Sequence, residues 1–130
     1  MGKNQTIAKG VSLIVTTYNR PLFLELVLKS ILRQKVMPAE VIIADDGSTI
    51  ETEELINRYV KLFPVPLIHS WIPDKGFRLA KSRNMAIARS TGDYIIIIDG
   101  DIVLSPCFVH DHLQARKPGY FINGGRARLS

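Results

Sequence analysis

Short apolar runs rich in β-branched residues alternate along the chain with longer segments that are apolar on one side. The short runs predict β-strands, because β-branched side chains favour extended backbone in a covered sheet. They occupy residues 11–16, 39–44, 67–71 and 94–98, with a last strand expected at 120–123. The longer segments predict amphipathic helices over about 21–34, 49–62, 78–90 and 106–116. We expect a capping box of Ser48 and Glu51 to open the second helix, and Ser105 to cap the fourth.

The order of these elements predicts the fold class. Strands that alternate with helices form a mainly parallel sheet covered on both faces, so we expect an α/β fold, a Rossmann-like three-layer sandwich. A chain of 130 residues fits one domain. We place this domain at residues 11–130, behind an N-terminal tail of residues 1–10.

The fourth predicted strand leads into the most informative stretch of the chain. Its four consecutive isoleucines can hide both faces only as an inner strand of a covered sheet. The run ends in Asp99-Gly100-Asp101, where the glycine lets the backbone turn and leaves room for a ligand. Two carboxylates at an open site supply the hard oxygen ligands that Mg²⁺ or Mn²⁺ prefers. Asp and Gly are also ordinary turn residues, so a plain strand-ending turn is the alternative.

Polar residues follow two further predicted strands, at 16–19 and at Asp45-Asp46. The carboxyl ends of parallel strands share one edge of the sheet, so these groups should converge with Asp99 and Asp101. Crowded carboxylates repel each other unless a cation or hydrogen-bond donors compensate. A divalent metal or a nucleobase with an imide N–H would meet this need, and Tyr18 is placed to stack on a base.

Phosphate-binding signatures of the glycine-rich kind do not occur. No Walker loop is present, and no G-x-G-x-x-G follows the first strand. Phosphates would therefore be held by the cation together with basic side chains such as Arg83. The alternative interpretation of Arg83 is a residue on a solvated helix face.

The formal net charge of +5 and the sequence pI of about 9.6 suit an anionic ligand. The basic residues are dispersed and no nucleic-acid-binding motif appears, so we expect no nucleic-acid partner. No apolar run approaches the roughly 18 residues of a membrane-spanning helix. The single Cys107 suits a reducing compartment, and we expect a cytoplasmic protein, with attachment to the inner membrane face also compatible with the basic surplus.

The remaining ring side chains favour structural roles over ligation. His110 and His112 are two residues apart on a predicted helix and point in different directions, so a pair of metal ligands is not expected. His69, within a strand, is expected to be hydrogen-bonded and partly buried. Trp71 favours packing on the sheet over a sugar-binding platform.

Four motifs in this order and spacing resemble family 2 glycosyltransferases. They are the first strand with Thr16-Thr17-Tyr18-Asn19-Arg20, the second with Asp45-Asp46-Gly47-Ser48, the segment from Asp74 to Asn84, and Asp99-Gly100-Asp101. The family comprises inverting enzymes of the GT-A fold that use nucleotide-sugar donors. The phrase Gly76-Phe77-Arg78-Leu79-Ala80 is similar to bacterial members that build polysaccharide or lipopolysaccharide, including chondroitin-polymerase-like domains.

The resemblance implies roles for individual residues. Thr16 and Tyr18 would line the nucleoside pocket, Asp46 would accept from the base imide, and Arg83 would lie near the diphosphate. Asp99 would face the ribose and the metal, and Asp101 would coordinate the metal, Mn²⁺ or Mg²⁺. The implied nucleotide-binding set is Thr16, Tyr18, Asn19, Arg20, Asp46, Arg83, Asp99 and Gly100. The implied partners are a UDP-sugar donor and a glycan acceptor.

Length is where the chain departs from the family pattern. Family domains carry the acceptor site and a general-base carboxylate in a second half, and we expect that half to be absent from these 130 residues. Asp111, on a predicted helix, is a poor match for the base. Two functions therefore stay open: sugar transfer, or a catalytically incomplete module that binds nucleotide or associates with itself through an uncovered apolar face. A nucleotidyltransferase, a third option, is disfavoured because residues 16–21 lack its glycine-rich signature.

Overall fold

The computed structural model describes residues 5–125, which form a four-stranded, fully parallel sheet with helices on both faces. The expected α/β three-layer fold is confirmed. Sheet order is β3-β2-β1-β4. The strands are β1 (Thr6–Thr17), β2 (Val36–Asp45), β3 (Leu67–Trp71) and β4 (Tyr94–Asp99). The helices are α1 (Pro21–Leu32), α2 (Ile50–Val60), α3 (Leu79–Arg89) and α4 (Phe108–Ala115).

The two faces of the sheet carry cores of very different size. On one face, side chains such as Leu13, Val15 and Ile43 pack beneath residues of α1, α2 and α4 in a large apolar cluster. On the other face, Ile14 and Ile42 pack with Ala86 of α3 in a much smaller one. Alternate residues of each strand feed the two cores, which is the period of two that a pleated strand dictates.

Strand β1 begins earlier than predicted. It starts at Thr6 rather than at residue 11, so residues 6–10 of the expected tail belong to the sheet, while residues 1–4 lie outside the described part. Ala8 pairs with Pro38, after which the register shifts before Ser12 pairs with Glu40. The shift contains Gly10 at φ +80°. It falls beside a proline that lacks an N–H to donate, and these interruptions mask the strand pattern in the sequence.

Strand β4 is an edge strand of the described sheet, not the inner strand that its isoleucines predict. It pairs only with β1, and Ile97 on the α3 side is 42% exposed. Short α3 covers β1 and β2 but leaves this part of β4 open. A cavity of about 440 Å³ runs along the strand, beside Phe108, His112 and residues 120–122. An apolar run predicts a strand, but it does not specify which strand lies at the edge.

Three expected local features differ from the structure. Helix α2 is capped at Thr49, and Ser48 does not cap it but accepts the N–H of Asn19 at 2.8 Å. Helix α4 starts at Phe108 rather than after Ser105, because the Ser105 carbonyl is bound by a side chain of another segment. Residues 120–123 form no strand in the structure.

Candidate functional site

A cleft of about 430 Å³ opens at the carboxyl edge of the sheet. Register brings the strand ends level there: Thr16 pairs with Asp99 of β4 on one side and with Ala44 of β2 on the other. The expected convergence of polar groups at this edge is therefore present. The cleft is lined by Thr16, Thr17, Tyr18, Arg20, Asp46, Phe77, Leu79, Asp99, Gly100 and Asp101.

Asp46 is the most deeply buried acidic residue of the cleft, at 4% exposure. Its Oδ2 accepts the backbone N–H of Arg78 at 2.8 Å. Its Oδ1 is buried and has no hydrogen-bond partner among residues 5–125, and the same holds for Oγ1 of neighbouring Thr17. A buried acceptor without a donor costs about 1–3 kcal/mol. An N–H group of a ligand in the cleft would recover that energy.

Asp45, the other member of the pair, has a different role. It is fully buried, accepts the N–H of Ser48 at 2.9 Å, and lies 2.7 Å from His69 Nε2. The expectation of a hydrogen-bonded, partly buried His69 is confirmed. Asp45 thus fixes the turn after β2, which leaves Asp46 to face the cleft.

Asp99 and Asp101 reach the cleft from the turn after β4. Thr16 Oγ1 donates to Asp99 Oδ1 at 3.2 Å. Gly100 packs so closely that an added Cβ would lie 2.3 Å from the Thr16 carbonyl oxygen, so only glycine fits. This close packing fixes where both carboxylates stand.

The two carboxylates fit a divalent cation by their chemistry. They are hard oxygen donors on one turn, and Mg²⁺-type sites commonly use one or two carboxylates and leave other positions to phosphate and water. Within residues 5–125, no cluster of three or more acidic, histidine or cysteine side chains could hold an ion by itself. The donor set therefore suits a cation that is completed by a bound phosphate.

Tyr18 stands at the rim of the cleft, 46% exposed. Its hydroxyl donates to Asp74 Oδ2 at 2.7 Å, and this bond, followed by burial, raises the pKa of Tyr18 above its ordinary value. The loop that carries Asp74 crosses Gly47, where a Cβ would lie 2.5 Å from the Asp74 backbone. The same loop presents Phe77, which is 88% exposed, to the cleft.

The remaining expected site residues take varied positions. Arg20 lines the cleft, with its guanidinium 5.6 Å from the Phe23 ring centroid. Asn19, at φ +50°, does not line it; its Oδ1 accepts the N–H of Thr49 at 2.8 Å and ties together the turns after β1 and β2. Arg83 lies half-buried on α3 and is not part of the lining. Their implied nucleotide contacts stay predictions.

Two aromatic side chains near the site have structural contacts. Trp71 Nε1 donates to the Ser48 carbonyl at 3.0 Å, although the ring is 46% exposed rather than packed in the core.

On α4, His112 Nδ1 lies 3.1 Å from Tyr94 Oη. Burial lowers the pKa of His112, against a smaller opposing effect of Asp111. The histidines of α4 do not form a pair of ligands.

The family model described as "Glycosyl transferase family 2" matches residues 12–122. The chain belongs to this family. Among its relatives, the hyaluronan synthase of Pasteurella multocida is 34% identical over 105 residues, covering 80% of the chain and 11% of that protein. The chondroitin synthase of Escherichia coli is 30% identical over 113 residues, covering 86% of the chain and 16% of that protein. The chain thus spans only a small part of the length of these relatives.

A solved structure has a similar fold. TarS 1–349 of S. aureus, in complex with UDP-GlcNAc, is 27% identical, with a TM-score of 0.70. The likeness covers 82% of this family 2 chain and 30% of the TarS chain.

The implied nucleotide-binding set omits three residues that line the cleft of this family 2 chain: Thr17, Phe77 and Leu79. The signal for Phe77 was available, because an aromatic residue after Gly76, in a loop between strand and helix, has no core to enter. Thr17 is among the polar residues at 16–19 that are expected to converge at this edge, but no ligand contact is implied for it.

Proposed function

We propose that the chain is the donor-binding part of an inverting glycosyltransferase that takes a UDP-sugar and a divalent cation, Mn²⁺ or Mg²⁺. The observation that carries this proposal is the unpartnered Oδ1 of buried Asp46, in the same cleft as Asp99 and Asp101. One end of the cleft offers an acceptor to a base, and the other offers carboxylates to a cation. A nucleoside diphosphate can satisfy both ends, because its base can carry an N–H donor, its diphosphate binds a cation, and the ribose joins the two.

The imide of uracil supports a uridine nucleotide. Its N3–H would donate to Asp46 Oδ1, whereas adenine presents an acceptor at the corresponding ring nitrogen. Exposed Tyr18 and Phe77 offer aromatic faces on which a base can stack. The UDP-GlcNAc complex of related TarS agrees with this choice.

Family membership supports sugar transfer to a glycan acceptor. In an inverting transfer, an acceptor hydroxyl attacks the anomeric carbon, the bond from that carbon to the diphosphate oxygen breaks, and the hydroxyl proton passes to a base. A bound cation supplies charge stabilisation for the departing diphosphate. In the described chain, Asp99 and Asp101 would hold that cation, while Thr16 orients Asp99 through its hydroxyl.

A binding-only module is the second candidate function. Asp46, Asp99 and Asp101 are the only carboxylates that line the cleft within residues 5–125, and each has a donor-binding role in the proposal. None is left as a base for an acceptor hydroxyl. Slow hydrolysis of a UDP-sugar separates the two candidates, because it needs the donor site but no acceptor. A folded chain that binds UDP and never hydrolyses the donor would favour the binding-only function.

The proposal is tested by calorimetric titration of UDP, with and without Mn²⁺, on this chain and on Asp101→Ala. We expect Mn²⁺ to tighten UDP binding, and the substitution to remove that gain while leaving metal-free binding in place. Asp111→Ala, an exposed carboxylate on α4, is the matched control. A folded chain that binds UDP under neither condition would contradict the proposal.

The expected self-association through an uncovered apolar face stays a prediction, and we propose the open edge of β4 as the surface involved. The edge from Tyr94 to Ile98 carries no charged residue, and charged residues are a common guard against strand pairing. A single monomeric species in size-exclusion chromatography would count against it. No helix within residues 5–125 has the length and hydrophobicity needed to span a bilayer.

A further inference from the structure

A buried polar cluster joins the end of α1 to the segment that follows the Asp99-Gly100-Asp101 turn. Ser30 and Gln34 are 6% and 1% exposed. Ser30 Oγ accepts the N–H of Leu104 at 3.0 Å. Gln34 Nε2 donates to the Ser105 carbonyl at 2.6 Å, and Gln34 Oε1 accepts the N–H of Val109 at 3.0 Å. One side chain of α1 and one from the turn that follows it thus bind three backbone groups of the segment.

These contacts replace the partners that regular structure would provide. Residues 102–107 belong to neither a strand nor a helix, so buried N–H and C=O groups there need partners from elsewhere. The N–H of Lys35, just after α1, adds a bond to the Pro106 carbonyl at 2.9 Å. The segment is therefore bound to the end of α1 and the turn after it at three successive residues, and again at the start of α4.

The metal-site turn lies between this cluster and a second anchor. On its β1 side, Gly100 packs against the Thr16 carbonyl, and the N–H of Ile102 donates to the Asp99 carbonyl at 3.1 Å. On its other side, only residues 102 and 103 separate Asp101 from Leu104, the first residue bound by Ser30. Asp101 is exposed, and within residues 5–125 its side chain has no hydrogen-bond partner that could fix it. Its place is set by how the backbone is held on both sides.

We propose that Ser30 and Gln34 are positioning residues for the cation site. By binding the segment at residues 104–109 they hold Asp101 where its carboxylate and that of Asp99 can share one cation. This inference rests on the proposed donor site, and it assigns to α1 a role in metal affinity although neither side chain lines the cleft. Nucleoside recognition, through Asp46 and Tyr18, does not depend on the cluster.

The test compares Ser30→Ala and Gln34→Met with the unmodified chain. Each removes hydrogen bonds of the cluster with little change in volume. Tyr59→Phe is the matched control, because it removes one bond, Tyr59 Oη to Glu25 Oε2 at 2.8 Å, that joins α2 to α1 away from the turn. Ser30→Thr keeps the hydroxyl and serves as the rescue variant. Affinity for Mn²⁺ alone and for UDP with and without Mn²⁺ is measured by calorimetry, and exchange of the Leu104 and Val109 amides by NMR.

We expect Ser30→Ala and Gln34→Met to lower the Mn²⁺-dependent gain in UDP affinity about tenfold, as loss of an outer-shell partner commonly does. Metal-free UDP affinity should change less than about twofold, and the two amides should exchange faster. Ser30→Thr should restore the gain, and Tyr59→Phe should keep it.

Three results would overturn the inference. The first is a full Mn²⁺-dependent gain in both variants while the unmodified chain also shows it. The second is an equal loss with and without metal, or the same loss in Tyr59→Phe, since either indicates general loosening rather than positioning. The third is absence of any gain in the unmodified chain, which overturns the proposed metal site itself and this inference with it.

Discussion

Glu40 begins the continuous buried run of β2, and Asp46 directly follows the carboxyl end of that strand. Both are almost inaccessible, at 6% and 4% exposure. At the amino edge, Glu40 Oε2 accepts Ser12 Oγ and the Thr91 N–H, each at 2.7 Å. At the carboxyl edge, Asp46 accepts one N–H and keeps a buried oxygen without a partner. The hydrogen bonds of Glu40 come from within the protein, whereas Asp46 keeps one oxygen that is available to the proposed ligand.

The hydrogen bonds of Glu40 offset the effect of its burial on the pKa. Burial raises the pKa of Glu40, but the hydrogen bonds from Ser12 and Thr91 outweigh it and hold the pKa below its ordinary value. Ser12 Oγ in turn accepts the N–H of Gly92 at 2.9 Å. A Cβ added to Gly92 would lie 2.5 Å from the Gly10 carbonyl oxygen. Gly92 therefore serves close packing between strands. The amino edge stabilises the fold, whereas the carboxyl edge keeps a buried acceptor that costs stability.

The largest effect is expected from Gly100→Ala, which breaks the carboxyl edge. An added Cβ would lie 2.3 Å from the Thr16 carbonyl oxygen, so the turn must move and carry Asp99 and Asp101 with it. We expect more than a 100-fold loss of Mn²⁺-dependent UDP affinity, beyond the about 10–100-fold of an outer-shell loss, and destabilisation of about 1–3 kcal/mol. Calorimetry and thermal unfolding measure the two effects.

The control for that substitution is Gly124→Ala, whose Cβ would meet nothing within 4 Å. It should bind and unfold as the unmodified chain does. A Gly100→Ala chain that binds UDP and Mn²⁺ normally would show that the turn tolerates displacement, contrary to the close packing described.

Asp46→Asn replaces a hydrogen-bond acceptor at the carboxyl edge with a donor. The amide oxygen should take the Arg78 N–H, which turns the amide N–H₂ toward the cleft, where it opposes the imide of uracil. We expect UDP affinity to fall about 10–100-fold, the equivalent of a charged hydrogen bond. Cytosine presents an acceptor at that position, so the preference for UDP over CDP should shrink or reverse.

Competition between UDP and CDP measures this preference directly. Asp111→Asn changes an exposed carboxylate on α4 in the same way and should leave it unaltered. An unchanged UDP-to-CDP ratio in Asp46→Asn would mean that Asp46 does not contact the base.

Glu40→Gln breaks the amino edge and should have the smallest effect on binding. Because the folded-state pKa of Glu40 is lowered, its contribution to stability is present above the ordinary value of 4.5 and is lost as pH falls below it. We expect the variant to be less stable by about 1 kcal/mol at pH 7. As pH falls below 4.5 the difference should shrink, since protonation of Glu40 brings its charge toward that of the neutral glutamine.

Urea unfolding at several pH values measures that difference, with exposed Glu51→Gln as the control. UDP affinity should stay within about twofold of the unmodified value. A fall in UDP affinity comparable to that of Asp46→Asn would mean that the two edges are coupled, contrary to their separate roles in stability and binding.

The sequence predicted the elements of the fold well because apolar periodicity is a local property. Each of the four main strands and four helices appears in the structure near its expected place. The position of β4 at the edge could not be predicted in the same way. Its exposure depends on how far α3 reaches across the sheet, which no pattern within residues 94–98 records.

The site was predictable where the chemistry follows a strand directly. Asp46, Asp99 and Asp101 converge because parallel strands bring their ends together. The positions of Asn19 and Phe77 could not be predicted in this way. Asn19 bonds to a turn 30 residues away, and Phe77 reaches the cleft only because its loop folds over Gly47.

The protein contains one tryptophan, Trp71, whose indole donates to the carbonyl of Ser48 in the turn after β2. That turn also carries Asp46, and the ring is about half exposed. When the excitation wavelength selects tryptophan over the four tyrosines, the emission therefore originates from a single residue bound to the turn that carries Asp46. Any ligand that orders or shifts this turn should change the emission, which gives the unlabelled protein an optical reporter of nucleoside binding.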